Sequence, residues 1–209
     1  MPIINYSKAA KVKALRVPKA ITIVGCGGTG SWAALFAAIA GVSRLVMFDD
    51  AKVTSTGLAR LPFTPGRIGM PKVAALTALI RDYRPDIAVE AHEARFNIAR
   101  DGRRIVGPLL NCSDSPAFAR RLSVYAGQKG IRHVFAPYSG LTAGVFDHVP
   151  QGLKLDGTAG YWCGSSALAG ALAITSVCGR AFNVVVDPFA VPQGLLSDKA
   201  MTPLSRGGL

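Results

Sequence analysis

Acidic residues are scarce in this 209-residue sequence: 12 Asp and Glu stand against 24 Lys and Arg, a formal net charge of +12. Charged residues make up only 17% and hydrophobic ones 50%. That balance excludes wholesale disorder and allows one full core. A positive field of this size suits a nucleic acid, an acidic protein or a polyphosphate. Aromatics are only 8% of the chain, and the cations are scattered without aromatic interleaving. The favoured reading is therefore an ordinary basic surface, with nucleic acid not favoured as a partner. No Cys-x-x-Cys pair exists among Cys26, Cys112, Cys163 and Cys178, so no zinc site is expected. Free thiols in a reducing, cytoplasmic setting fit better. Residues 1–17 lack an apolar signal core. The longest small apolar run, 165–178, is too short and too rich in Ala, Gly and Ser for a membrane span. No internal repeat is apparent.

What is present begins at residue 20. Residues 1–19 form a basic arm (Lys8, Lys11, Lys13, Arg16, Lys19) closed off by Pro18, residues 20–187 a nucleotide-binding domain, and residues 188–209 an irregular tail. The apolar, β-branched run 21–24 reads as a buried strand. Gly25, Gly27, Gly28 and Gly30 follow it directly, then an apolar helical run over 32–40, then a strand over 44–48 that delivers Asp49 and Asp50. Residues 51–71, with prolines at 62, 65 and 71, read as a long loop. Residues 72–84 have helical periodicity ended by Pro85. Further strands are expected at 87–94, 108–112 and 133–136, with a helix or turn at 99–104 and a helix at 117–129 begun by Ser115-Pro116. A strand over 141–149, a glycine-rich connector at 151–160, a small-residue helix at 165–178 and a strand at 184–186 complete the order. Such alternation predicts an α/β fold: a Rossmann-like, mostly parallel sheet with helices on both faces and a few antiparallel late strands. Its ligand belongs at the carboxyl ends of the strands.

The pattern Gly25-x-Gly27-x-x-Gly30 after a strand and before a helix has a physical role: a tight turn, close approach to phosphate and a helix N-terminus facing the anion. Asp49, 24 residues after Gly25, stands near the offset at which a carboxylate accepts from ribose hydroxyls. To this point an NAD-dependent oxidoreductase fits equally well. Farther on, Asp49, Val53, Leu58, Arg60, Phe63 and the string Ile68-Gly-Met-Pro-Lys72 follow without a gap in spacing, and Leu110-Asn111-Cys112-Ser113-Asp114-Ser115 forms a second block. As a set they resemble the ThiF/MoeB-type, ubiquitin-activating-enzyme-like adenylyltransferases, over residues 20–180. That family's signature runs from a ribose-binding acid through V-x-x-S-N-L-x-R-Q to G-x-P-K, with a later D-C-T-D-N.

The resemblance implies ATP and Mg2+ as cofactors and a small ubiquitin-like or sulfur-carrier protein as partner, its C-terminal carboxylate being adenylylated. It further implies that Gly25, Gly27, Gly28, Gly30, Asp49, Asp50, Arg60 and Lys72 bind the nucleotide. Arg60 and Lys72 would neutralise the triphosphate, and Asp114 would hold magnesium. Such transfers depend on positioning and charge neutralisation more than on covalent chemistry. A homodimer is expected by the same resemblance, and the helix at 165–178 is either its contact or an ordinary core helix. Departures are equally specific. The signature's Asn is Gly57, its Gln is Leu61, and Ala51 replaces the second acid after Asp49. The N-terminal R-Y-x-R-Q stretch has no match beyond Arg16. Cys163 lies too late to be the nucleophile of a thioester step, and nothing adjacent in sequence activates it. Two classes stay open: an adenylyltransferase without a thioester step, or a catalytically degenerate, nucleotide-binding accessory protein of the same fold. An NAD oxidoreductase is the distant third, because it leaves Lys72 and Asp114 unexplained.

Overall fold

The structure is a computed structural model and describes residues 15–150, 163–179 and 183–186. Strands β1 (Ala20–Val24), β2 (Arg44–Phe48), β3 (Ala88–His92), β4 (Leu109–Asn111) and β5 (His133–Phe135) form one parallel sheet in the order β3-β2-β1-β4-β5. Side chains alternate between its faces. Ile21, Ile23, Leu45, Met47, Leu110 and Val134 bury on one side; Val24, Val46, Phe48 and Leu109 bury on the other. Both faces are covered, which is why these strands read as unbroken apolar runs. Thr22 is the exception within β1. Fully buried, its hydroxyl donates to Val106 O at 3.0 Å and accepts from Val106 N at 2.8 Å, tying the approach to β4 onto β1.

Helices α1 (Gly28–Ala40), α2 (Lys72–Tyr83) and α5 (Cys163–Cys178) pack on the first face through Ala33, Ala37, Val73, Leu76, Ala173 and Val177. α1 and α5 approach closely because small residues meet: a Cβ on Gly170 would lie 2.8 Å from Trp32 Cβ and 2.9 Å from Ala33 N. The small-residue stripe of α5 is thus buried within its own chain, as in a core helix. The second face carries α3 (Ile98–Asp101) and α4 (Pro116–Gln128), the latter anchored by Leu122 and Ala126. Ser115 caps α4, its hydroxyl accepting from Phe118 N at 3.3 Å, and Pro116 occupies the first turn where no N–H is needed.

Two expectations change. The first helix starts at Gly28, not Trp32, so the fingerprint glycines make its opening turn. The single strand expected over 141–149 is a hairpin, β6 (Tyr138–Ser139) and β7 (Thr142–Val145), joined through Gly140 at φ +54°. β7 stops at Val145, after which Phe146 turns back to bridge Phe135, each N–H donating to the other's carbonyl at 2.8 Å. β7 also pairs antiparallel with β8 (Val184–Val186), giving a second, three-stranded sheet. Most of the basic arm, the 151–160 connector and the 188–209 tail lie outside the described residues. Among the described residues no helix is long and apolar enough to cross a membrane.

Chain order defines the crevice. The chain winds from β1 outward to β3, then crosses back to β4 on the other side of β1. The reversal leaves a gap at the carboxyl ends of β1 and β4.

Candidate functional site

The glycine turn fills that gap from one side. Gly25 adopts φ +91°, and a Cβ there would lie 2.9 Å from Cys112 O, so both conformation and space require glycine. Gly30 is tighter still: its Cβ would stand 1.8 Å from Gly25 O. Gly27 caps α1 without a side-chain hydrogen bond, and no acid stands in the first turn. The opening turn of a 13-residue helix therefore stands at the crevice with neither a capping side chain on Gly27 nor an acid of its own, the arrangement that favours an anion.

Asp49, one residue past β2, fixes the turn to the sheet edge. Its carboxylate accepts from Cys26 N at 2.7 Å and from Ala51 N at 2.8 Å, and lies 4.0 Å from Lys72 Nζ. Both side chains of that ion pair are mostly buried, at 10% and 16% exposure. Lys72 reaches this position because the long loop closes on itself. Val53 N donates to Met70 O, Gly69 N to Val53 O and Lys72 N to Ala51 O, all within 2.9 Å. Gly69, at φ +87°, makes the reversal that the G-x-P-K string needs. Pro71 then stands at the cap position and Lys72 opens α2. The stretch read as an unstructured loop is a clamped excursion carrying two 3-10 turns, at Gly57–Ala59 and Pro65–Arg67.

Arg60 follows the first of these turns. Its carbonyl accepts from Trp32 Nε1 and from Ser166 Oγ, each at 3.0 Å, so α1 and α5 jointly hold the loop. Asp50 forms an exposed ion pair with Arg95 at 3.3 Å, of little energetic weight. Asp114 is exposed just after β4 and makes no ion pair among the described residues. Asn111 shapes its approach: the Asn111 Oδ1 atom accepts from Ser113 N at 3.1 Å and from Ser113 Oγ at 2.8 Å, a local turn between Cys112 and Asp114. Of the expected site residues, the glycine turn, Asp49 and Lys72 are brought together by direct contact, and Asp114 lies across the gap at the end of the neighbouring strand. Arg60 is tied through its carbonyl to α1 and α5, and Asp50 pairs with Arg95.

The thiols beside the turn are held protonated. Burial, then the Asp49 carboxylate, pushes Cys26 well above its usual range, and burial raises Cys112 likewise. Neither is set up as a nucleophile. All four cysteines are free, and Cys163 stands exposed at the first turn of α5.

Tyr138 is a residue the sequence reading missed. A Cβ on Gly28 would lie 2.3 Å from its phenol oxygen and 2.9 Å from Ser166 Cβ, so β6 and α5 both press on the glycine turn. These residues are more than a hundred positions from the turn, and no local pattern announces them.

As for magnesium, Asp114 is an exposed strand-end carboxylate with no ion pair among the described residues, beside the turn whose helix start suits an anion. Such a donor fits an ion that takes one or two carboxylates together with phosphate oxygens. Among the described residues no three His, Cys, Asp or Glu side chains gather into a protein-only cage.

The model of the ThiF family matches residues 4–163. Ubiquitin-like modifier-activating enzyme 5 of Drosophila sechellia and of Drosophila melanogaster are each 34% identical over 122 residues, which is 52% of this chain and 30% of theirs. The chain thus matches less than a third of the length of these relatives. Among solved structures, E. coli tRNA N6-threonylcarbamoyladenosine dehydratase, TcdA, superposes with a TM-score of 0.70 at 18% identity, over 82% of this chain and 90% of that one. E. coli MccB with ATP gives 0.66 at 17% identity, over 77% and 54%. At these identities the likeness is one of fold.

Proposed function

The chain belongs to the ThiF family, and we propose that it adenylylates the C-terminal carboxylate of a small ubiquitin-like or sulfur-carrier protein, or of a related peptide, at the expense of ATP. The observation that carries this reading is the joining of Asp49, Lys72 and the acid-free start of α1 in one crevice. Relatives described as ubiquitin-like modifier-activating enzymes, and a neighbour solved with ATP, support it.

In the reaction, a carboxylate oxygen of the carrier bonds to the α-phosphorus. The bond from that phosphorus to the bridging oxygen breaks, and pyrophosphate leaves with the electron pair. The glycine turn lets the backbone approach the phosphates, and the α1 N-terminus places its N–H dipoles on them. Asp49, oriented by two backbone N–H groups, accepts from the ribose. Lys72 and Arg60 offset charge as pyrophosphate forms. Asp114 would hold magnesium, which when bound shields the triphosphate. No thioester step is assigned, since Cys163 lies too late in the chain for it and Cys26 and Cys112 are kept as thiols. A homodimer in a cytoplasmic setting completes the reading, and sedimentation at micromolar concentration should show two chains.

The test is ATP–pyrophosphate exchange with candidate carriers and peptides. Exchange should fall at least a hundredfold in Asp114→Ala and in Lys72→Ala. ATP–Mg binding without any exchange, unchanged in Asp114→Ala, would establish instead the second reading, a nucleotide-binding accessory protein. Gly57 and Leu61 in place of the signature's Asn and Gln favour that alternative. Tight binding of NAD with none of ATP would sink both.

A further inference from the structure

The scatter of cations along the chain conceals their placement in space. Along α4 and its C-cap, Phe118, Arg121, Tyr125 and Lys129 follow one another at spacings of three, four and four, which puts them in a single stripe. The stripe forms one wall of a cleft of about 870 Å3, and Arg100 and Arg103 stand on the other wall. Phe96, at 4% exposure, and Ile98 line it between them. A shallower hollow beside it is lined by Arg120, Arg121 and Val124, the last 61% exposed.

The cleft is rigid where it is aromatic. Phe96 packs edge-on against Phe48 of β2 at 4.9 Å. Tyr125 lies on Gly102, where a Cβ would come within 2.3 Å of its hydroxyl oxygen. Phe118 and Tyr125 remain part-exposed. No acid lines the cleft, and Asp101 beneath it is 2% exposed and taken up by Arg100 and by Asn97 N. Arg103, Arg121 and Lys129 are exposed and make no ion pair among the described residues. The cleft lies on the α4 face of the sheet, opposite α1 and α2.

We propose that this cleft binds a single-stranded nucleic acid, its phosphates against Arg103, Arg121 and Lys129 and its bases on the faces of Phe118 and Tyr125. Guanidinium groups take phosphate oxygens in pairs, and aromatic faces accept any base, so the surface suits a strand of little sequence preference. From Phe118 to Lys129 the stripe runs about 16 Å at 1.5 Å per residue, room for a few nucleotides. An acidic peptide would satisfy the cations and leave the aromatic half of the stripe unused. This site lies outside the adenylylation reading and stands or falls separately from it.

The experiment is fluorescence anisotropy of labelled rU12 and dT12 with the full chain at 50 and 200 mM salt. Saturable binding is expected, weakening with salt by about 0.7 logarithmic units per phosphate contact for each tenfold rise in salt. Arg103→Glu with Arg121→Glu should weaken it at least tenfold and flatten the salt slope. Phe118→Leu, which keeps an apolar side chain and loses the ring, should weaken it about fivefold or more at an unchanged slope. Arg81→Glu, a charge reversal on α2 across the sheet and half the charge change of the double variant, should leave it within twofold, and pyrophosphate exchange should be the same in all four proteins. No anisotropy change at 100 μM protein overturns the proposal. So does equal weakening by Arg81→Glu, which would mean the net charge alone binds. Competition by polyglutamate at equal strength with no effect of Phe118→Leu would make the cleft an acidic-peptide site instead.

Discussion

On one face of the sheet α1 and α5 meet over Gly, Ala and Ser, and their closeness holds the glycine turn, Tyr138 and the loop carbonyl of Arg60 in place. On the other face α4 turns Phe, Tyr, Arg and Lys toward an open cleft and buries only a thin apolar edge. The first face is organised by backbone approaching backbone, where one added methyl has nowhere to go. The second, apart from the close fit of Tyr125 on Gly102, is organised by charge and solvation, where protonation or charge reversal matters more than volume. Perturbations should therefore divide by face, steric ones failing on the first and electrostatic ones on the second.

The largest effect is expected at Gly30. An Ala there would set its Cβ 1.8 Å from a main-chain oxygen, and no rotamer relieves a clash between backbone atoms. Gly30→Ala should lose ATP binding altogether and cost about 3 kcal/mol or more, at or above the upper end of overpacking penalties. Thermal melting and an ATP titration read both. A variant with unchanged Tm that still binds ATP would break the claim that this face is sterically closed.

The matching probe of the second face is pH. His133, on the α4 side of β5, is 6% exposed, and burial pushes its pKa down to about 4, opposed only in part by Asp147. Because the folded form holds the proton less tightly than the unfolded chain, its stabilising contribution is complete above about pH 6.5. It is lost as pH falls from there toward 4, by up to about 3 kcal/mol at 1.4 kcal/mol per unit. Denaturant midpoints measured across that window should drop, and His133→Gln should flatten the drop by the same amount. A profile identical in both proteins would assign the acid loss to carboxylates elsewhere.

These cases also mark what could be read from sequence. Strand, glycine turn, helix, strand and acid are contiguous, so the β1–α1–β2 unit and Asp49 follow from order and spacing alone. G-x-P-K is likewise local, a positive-φ glycine and a pre-helical proline that set Lys72 on the first turn of α2. The opening of α1 at Gly28 was hidden because glycine reads as a turn residue, although at a helix start its lack of a side chain is what admits Tyr138 and Ser166. The hairpin at 138–145 depends on Gly140 and on a bridge to a strand already placed, neither visible in periodicity. The aromatic–cation stripe of α4 is spread over twelve positions of the sequence and gathers only around the helix.

Thr22 tests the seam between the faces with a smaller effect. Its hydroxyl serves both the N–H and the carbonyl of Val106 in a site without exposure. Thr22→Val keeps the shape and leaves two backbone groups unpaired, for a loss of about 2 kcal/mol. Chemical denaturation should show a shifted midpoint at constant slope, and a shift under 0.5 kcal/mol would mean water replaces the hydroxyl.

The smallest effect bears most directly on activity. Gly57 has no positive φ, so its backbone does not demand glycine. A Cβ there would lie 3.1 Å from Leu61 Cδ1 and 3.1 Å from Thr54 Oγ1. The two departures from the family signature, Gly57 for Asn and Leu61 for Gln, are thus neighbours in space. Leu61 is 5% exposed and occupies room beside the position an asparagine would take. Gly57→Asn alone should cost about 1 kcal/mol, because Leu61 must move. Combined with Leu61→Gln the cost should shrink by at least 0.5 kcal/mol, the coupling expected of touching residues. If the double variant also gains pyrophosphate exchange over the parent, the paired substitutions are what lowered activity. Additive costs with unchanged exchange would show that the two positions changed independently and that the crevice works without the amides.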